Sequence, residues 1–234
     1  MKGKLIMIPN LLCDGIVSDV IPDGVLEAVK KIRHFIVEDV RTARRYLKKI
    51  DKSVDIDSLT FYLLNKHTEK TEIRSYLKPA IEGHDVGVIS EAGVPGVADP
   101  GAEIVAIGHE LDIKVVPLTG PSSIIMALMA SGLNGQNFLF HGYLPFKSND
   151  RAQDVRKLEE QSRRQKQTQV FIENPFRNEQ MLKDILRTCN PTVRLCIACN
   201  ITAENEFIKT KTIAQWQKNI PDIQKKPAVF LLLA

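Results

Sequence analysis

The sequence predicts an α/β protein in two parts: an N-terminal unit over residues 1–145, built on a mainly parallel sheet with flanking helices, and a smaller α+β unit over 146–234. Three observations carry this expectation. Short apolar runs alternate with helical stretches through the first half, the pattern of strands joined by crossover helices. That alternation breaks at Gly142-Tyr-Leu-Pro145, beyond which residues 147–169 are polar and charge-dense with no strand-like run. The length of 234 residues also exceeds the roughly 100–150 residues of one ordinary domain.

In chain order, strands are expected at 5–8, 35–37, 59–63, 85–89, 114–118 and 138–140, each a short run of β-branched, aromatic or aliphatic residues. Helices are expected between them at 25–32, opened by Pro22-Asp23, and at 41–50, 71–82, 102–111 and 122–131, several with apolar residues three and four apart. After the break come a basic linker with the first helix of the second unit, a strand at 169–172 and a helix at 178–188. Two strands joined by a turn follow, at 194–201 and 206–210, then a short helix and a closing strand at 228–233.

Composition narrows the function classes. Apolar residues are 44% of the chain and charged ones 26%, so a core forms without disulfides or metal. No apolar run approaches the roughly 18 residues of a membrane span, and the N-terminus is too short and polar for a signal-peptide core, so a cytoplasmic location without membrane partners is expected. Four cysteines are too few for a disulfide framework. Cys196-Ile-Ala-Cys199 spells C-x-x-C, but three residues along a strand point two side chains to opposite faces, and no second pair completes a zinc site. Core thiols and no metal are expected. The formal charge of +4 permits phosphate-bearing partners without requiring them.

The most informative stretch is Val88-Ile-Ser-Glu-Ala-Gly-Val-Pro-Gly-Val-Ala-Asp-Pro-Gly101, an apolar strand running into a glycine- and proline-rich loop before a helix. Ligands of open α/β sheets sit outside the carboxyl ends of strands. Gly93 and Gly96 admit close backbone approach, and Pro95 and Pro100 stiffen the loop. A binding loop and a merely stiffened connection are equally compatible with these residues alone. Val116-Pro-Leu-Thr-Gly-Pro-Ser-Ser123 repeats the arrangement; its serines suit either a polar ligand or simple helix capping. No Walker A sequence and no G-x-G-x-x-G follow the first strand, which argues against nucleoside triphosphates and dinucleotides.

Five blocks, Glu38-Asp-Val-Arg41, Ser90-Glu-Ala-Gly-Val-Pro…Asp99-Pro-Gly101, Pro117…Gly120-Pro-Ser-Ser…Ala127…Ala130-Ser-Gly-Leu133, Gly142-Tyr-Leu-Pro145 and Glu173-Asn-Pro-Phe-Arg177, together resemble the tetrapyrrole methylase superfamily. Within it the chain is most similar to the ribosomal RNA small subunit methyltransferase I branch, which methylates a cytidine ribose. The resemblance implies a two-domain methyltransferase, usually homodimeric, that uses S-adenosylmethionine. By motif position, the cofactor would lie along Glu91, Ala92, Gly93, Val94, Pro95 and Asp99, with Ser122 and Ser123 nearby and the Ile197-Ala198 backbone contributed by the second unit. Ribosomal RNA or the small ribosomal subunit would be the partner.

The chain departs from the ribosomal pattern at three places. Pro9-Asn10-Leu11-Leu12 replaces a Pro-Ile-Gly-Asn-Leu loop. Asn65-Lys-His67-Thr-Glu69 keeps one histidine and the acid of His-x-His-Asn-Glu. Ile197-Ala-Cys-Asn-Ile-Thr-Ala203 replaces the arginine, glutamate and lysine of Leu-Ala-Arg-Glu-Leu-Thr-Lys with Cys199, Asn200 and Ala203.

Methyl transfer from a sulfonium is an in-line displacement that mainly requires alignment, although a hydroxyl acceptor must also lose its proton. Glu38 and His67 are the candidates for that base, ahead of Asp39, and Arg41 belongs to the same matched block. Without the resemblance, His67 reads as an ordinary loop histidine. Arg41, Arg44, Arg45, Lys48 and Lys49 share one helix flank and suit either phosphates or plain solvent exposure. Arg151, Arg156, Lys157, Arg163, Arg164 and Lys166 make a second basic stretch. Trp216, with Ile213 and Ile220, reads as packing. Two other functions compete: a methyltransferase of this fold acting on a tetrapyrrole or other small molecule, and a paralogue that binds cofactor or partner without turnover.

Overall fold

The computed structural model describes every residue except 66 and 67, and the chain divides into two compact units, Met1–Ser122 and Ser123–Ala234. In the first unit the strands are β1 (Lys4–Ile8), β2 (His34–Val37), β3 (Thr60–Leu63), β4 (Val86–Ile89) and β5 (Lys114–Pro117). They form one sheet in the order β3-β2-β4-β1-β5, with every pairing parallel. The helices are α1 (Asp23–Val29), α2 (Val40–Ile50), α3 (Lys70–Ser75), α4 (Lys78–Ile81) and α5 (Gly101–Glu110).

Alternate residues of each strand feed opposite layers, which is how a parallel sheet covered on both faces is built. Ile6, Ile8, Phe35 and Val37 pack with Val25, Val29, Ala43, Tyr46 and Leu47 from α1 and α2. Leu5, Met7, Ile36, Val86 and Val88 pack with Ile73, Leu77, Ala80 and Ile104 on the other side. The buried residues of α2, Ala43, Tyr46 and Leu47, lie three and four apart on one helical face. Its start is set by Asp39, whose carboxylate accepts the Thr42 N–H at 2.7 Å, so Asp39 is an N-cap.

The second unit holds α6 (Ser123–Ser131), β6 (Phe138–Tyr143), α7 (Ser148–Gln165), β7 (Thr168–Glu173), α8 (Asn178–Thr188), β8 (Arg194–Cys199), β9 (Phe207–Thr212), α9 (Ile213–Lys218) and β10 (Ala228–Leu233). Its sheet runs β6-β7-β10-β8-β9; β6 joins β7 in parallel, and the other pairs are antiparallel. One face, carrying Phe171, Leu195, Ile197, Phe230 and Leu232, is covered by Val155, Leu158, Met181, Ile185 and Trp216 from α7, α8 and α9. The indole N–H of Trp216 donates to the Leu195 carbonyl at 2.9 Å.

Several expectations are corrected. The boundary lies at 122/123, not 145/146, because Phe138–Tyr143 pairs with β7 and α6 packs against β8, β9 and β10. The second unit is therefore nearly as long as the first. The helix expected at 71–82 is split, because Pro79 lacks an N–H and its ring crowds the preceding turn; Leu77 sits between the halves at φ −90°, ψ 2°. The polar segment from 147 is mostly the long helix α7, whose buried face includes Ala152, Val155, Leu158 and Ser162. Ile220 lies beyond α9 and is exposed, so it is not part of the Trp216 packing. Cys196 and Cys199 behave as expected, as buried core thiols, and Cys199 faces the same core as Leu195 and Ile197 while Cys196 does not. No helix among the described residues is long and apolar enough to cross a membrane.

Candidate functional site

Because the first sheet is wholly parallel, the loops after β1, β2, β4 and β5 all leave its carboxyl edge. That edge collects residues 9–15, Glu38, residues 90–100 and residues 118–122, so blocks far apart in sequence meet there. The order β2-β4-β1-β5 places the 90–100 loop between the first and second of these segments.

Asn10 fastens the first loop to the third. Its backbone N–H donates to the Gly93 carbonyl at 2.8 Å, and its side-chain amide donates to the Ser90 and Glu91 carbonyls, both at 3.0 Å. Its side-chain oxygen accepts the Leu11 N–H at 2.8 Å. Asn10 is buried at 4% exposure, so these bonds replace lost water contacts. The Tyr46 hydroxyl donates to the Pro9 carbonyl at 2.6 Å from within the α2 layer. Sequence reasoning missed Asn10 and Tyr46 as parts of the site; the signal available for Asn10 was its position directly after the first strand, where a polar residue follows an apolar run.

Gly93 has φ +70°, and a Cβ there would meet Leu12 at 3.0 Å and the Pro121 carbonyl at 3.3 Å. The wall at this point is bare backbone. Gly96, at φ +85°, donates its N–H to both oxygens of Asp99, at 2.9 and 2.8 Å. Asp99 also accepts the Gly101 N–H at 2.6 Å at the start of α5. Asp99 thus closes the 96–101 turn and places negative charge at a helix N-terminus, where it is favourable. Pro95 is buried, while Glu91 and Ala92 are exposed and Val94 is half-buried.

Glu38, half-buried at the end of β2, accepts the Glu91 N–H at 3.1 Å. Burial, and then the carboxylates of Asp99 and Glu91, push its own carboxyl above the usual range, against the lowering effect of that backbone bond. It lines a narrow recess with Ser90, Pro95, Asp99 and Gly101. Arg41 is exposed near the start of α2.

The remaining sequence candidates are distributed differently. Ser122 ends the first unit and Ser123 begins α6. His67 lies outside the described residues. Ile197 and Ala198 are fully buried in mid-β8, with neighbours on both sides: Phe230 and Lys209 for the first, Val229 and Ile208 for the second. Within their own unit they serve the sheet and its core, and β8 ends just before Asn200, whose φ is +50°.

The family of Tetrapyrrole (Corrin/Porphyrin) Methylases matches residues 17–217 of this chain. A protein of Buchnera aphidicola subsp. Schizaphis graminum named ribosomal RNA small subunit methyltransferase I is 29% identical over 235 residues, covering 99% of this chain and 78% of that protein. The protein of the same name from Vibrio cholerae is 30% identical over 190 residues, covering 81% of this chain and 63% of its own length. Among solved structures, the methyltransferase CobJ superimposes with a TM-score of 0.64 at 18% identity, covering 99% of this chain and 94% of that one. Uroporphyrin-III C-methyl transferase from Thermus thermophilus, complexed with S-adenyl homocysteine, superimposes with a TM-score of 0.57 at 17% identity, covering 99% and 97%. With the parallel sheet, its loop edge and a family match across most of its length, the chain belongs to the tetrapyrrole (corrin/porphyrin) methylase family.

Proposed function

We propose that this protein is an S-adenosylmethionine-dependent methyltransferase that methylates a ribose 2′-hydroxyl of small-subunit ribosomal RNA, and that it works as a homodimer. The observation that carries the reading is the convergence of Glu38, the 91–99 loop and residues 10–12 on one sheet edge. The relatives named as ribosomal RNA methyltransferases support the choice of acceptor.

The residues at this edge fit the cofactor. Its sulfonium and ammonium outweigh its one carboxylate, so it is a net cation. Glu38, Glu91 and Asp99 form a group whose mutual repulsion is part of what raises the Glu38 pKa, and a cation relieves that repulsion. Gly93, where a Cβ would crowd Leu12 and the Pro121 carbonyl, lets the 10–12, 91–96 and 118–122 segments close on one another at this edge. When bound, the cofactor supplies an electrophilic methyl carbon and a neutral thioether leaving group.

The protein's own part is alignment and proton removal. Ala92, Gly93, Val94 and Pro95 form the rigid wall, and Ser122 and Ser123 add hydroxyls directly after Pro121, whose carbonyl borders Gly93. Glu38 accepts the ribose proton as the oxygen–carbon bond forms and the carbon–sulfur bond breaks; its raised pKa brings it nearer to that task than an ordinary carboxylate. Arg41 completes the acceptor side in this proposal.

The test is transfer of labelled methyl from S-adenosylmethionine to small ribosomal subunits and to free ribosomal RNA, with the product mapped to a ribose. Label on a 2′-oxygen supports the reading. Label on a tetrapyrrole but not on RNA replaces the acceptor. Saturable cofactor binding without transfer to any of these favours the non-catalytic paralogue, for which Cys199, Asn200 and Ala203 are the motivating residues. Light scattering of the purified protein tests the dimer.

A further inference from the structure

Beside the candidate site, α2 and the loops at residues 10–14 and 91–92 line an open hollow of about 850 Å³. Its size is within the roughly 300–1,000 Å³ of a small-molecule pocket, so it is the charge of its lining that points to the ligand. Among the described residues, Arg44, Arg45, Lys48, Lys49 and Lys52 line it against two acidic groups, Asp14 and Glu91. Glu91 and Ala92 belong to the candidate cofactor wall, so the basic surface is continuous with the place where the acceptor must arrive.

Three of the five cations are held in place. Arg44 lies over the Phe61 ring at 5.4 Å, and Lys48 donates to the Val54 carbonyl at 2.6 Å. Lys49 is paired with Asp14. Such anchoring reduces the entropy lost when a partner binds. Basic residues in the last turn of a helix also offset its dipole, which accounts for Lys48 and Lys49 without a ligand. It does not account for Arg44 and Arg45 earlier in α2 or for Lys52 beyond its end.

We propose that this hollow is a phosphodiester-binding surface that holds the acceptor RNA strand against the cofactor loop. The proposal rests on the ribosomal RNA reading above and adds the surface that recognises the polymer. A strand laid along α2 releases counterions as its phosphates meet these side chains, so affinity falls steeply with salt.

The test compares two triple variants in the full-length protein: Arg45→Gln, Lys49→Gln and Lys52→Gln in the hollow, and Arg156→Gln, Lys157→Gln and Arg164→Gln on exposed positions of α7. Binding of ribosomal RNA is measured across a salt series, cofactor binding by calorimetry and methyl transfer by label. The hollow variant is expected to lose roughly 2–3 from the slope of log affinity against log salt, at about 0.7–0.9 per phosphate contact. Its KM for RNA should rise while kcat and cofactor binding are kept. The α7 variant should leave the slope unchanged. Equal slopes for the parent and the hollow variant, or equal losses in both variants, would overturn the proposal while leaving the functional reading intact. A parent protein that binds cofactor but no RNA overturns both.

Discussion

Gly120→Ala places one methyl group where the structure has no room for it. A Cβ built at Gly120 lies 2.1 Å from Cβ and 2.3 Å from Cγ of Pro9, whereas carbon atoms rest at about 3.5–4.0 Å. The overlap of roughly 1.5 Å must be relieved by moving Pro9 or the 118–122 segment. Pro9 is a stiff ring whose carbonyl accepts the Tyr46 hydroxyl at 2.6 Å. Its neighbour Asn10 is bonded to the Gly93 carbonyl at 2.8 Å, so a shift there strains the anchor of the cofactor loop as well. Overpacking of a close-packed site costs about 1–3 kcal/mol, and the rigidity of both partners places this variant near the upper value. At roughly 2–4 °C per kcal/mol for a chain of this size, thermal unfolding followed by circular dichroism should fall by roughly 6–12 °C. Calorimetric affinity for S-adenosylmethionine should weaken in parallel. Gly24→Ala is the control: nothing lies within 4 Å of its added Cβ and it sits in α1, where alanine is favoured over glycine by up to about 1 kcal/mol. A Gly120→Ala protein that melts within about 2 °C of its parent and binds cofactor normally would refute the claim that Pro9 and Gly120 are locked together.

Three further outcomes are expected. Glu38 has a raised pKa, so its ionised form costs stability at pH values above that pKa, and the cost disappears as pH falls through it; Glu38→Gln should stabilise the protein to urea at pH 8 by an amount that shrinks toward pH 4, while abolishing methyl transfer. The Asp184 carboxyl would be raised by its burial, but hydrogen bonds from Arg151, Ser148 and Gln180 hold it below the usual range. Its contribution is therefore present above its unfolded pKa and lost as pH falls through the folded one. Arg151 and Asp184 are each 2% exposed and paired, and without Arg151 the carboxylate keeps only Ser148, Gln180 and the largely exposed Arg187, so Arg151→Met should cost about 3 kcal/mol in chemical denaturation, the low end for breaking a buried pair; a loss below 1 kcal/mol would show that the pair is not buried in solution. Asn10→Ala removes both donors to the Ser90 and Glu91 carbonyls, and at about 1–3 kcal/mol for a buried group left unpaired it should raise hydrogen exchange in residues 90–96 more than elsewhere in the first unit.

Arg151 also illustrates the limit of reading charge from sequence. It stands among Arg156, Lys157, Arg163 and Arg164, and only the fold separates it from them: the others are exposed, while Arg151 bonds Asp184 and donates to the Phe146 carbonyl at 2.7 Å. Asp99 is a second case. Its motif position marks it for the cofactor, whereas its carboxylate is engaged by the Gly96 and Gly101 amides.

Local pattern determined the strands, most helices and the glycine loop after β4, because alternation, helical spacing and turn chemistry act over a few residues. The same is true of the core role of Cys196 and Cys199, which follows from the period of a strand. The pairing of Phe138–Tyr143 with β7, and so the boundary between the units, was decided by tertiary structure, since a strand's own residues do not name its neighbour. The meeting of Glu38 with Glu91, of Asn10 with Gly93 and of Pro9 with Gly120 was decided the same way. Those contacts span 53, 83 and 111 positions of the chain, and only the parallel sheet, by sending its loops to one edge, brings them within reach.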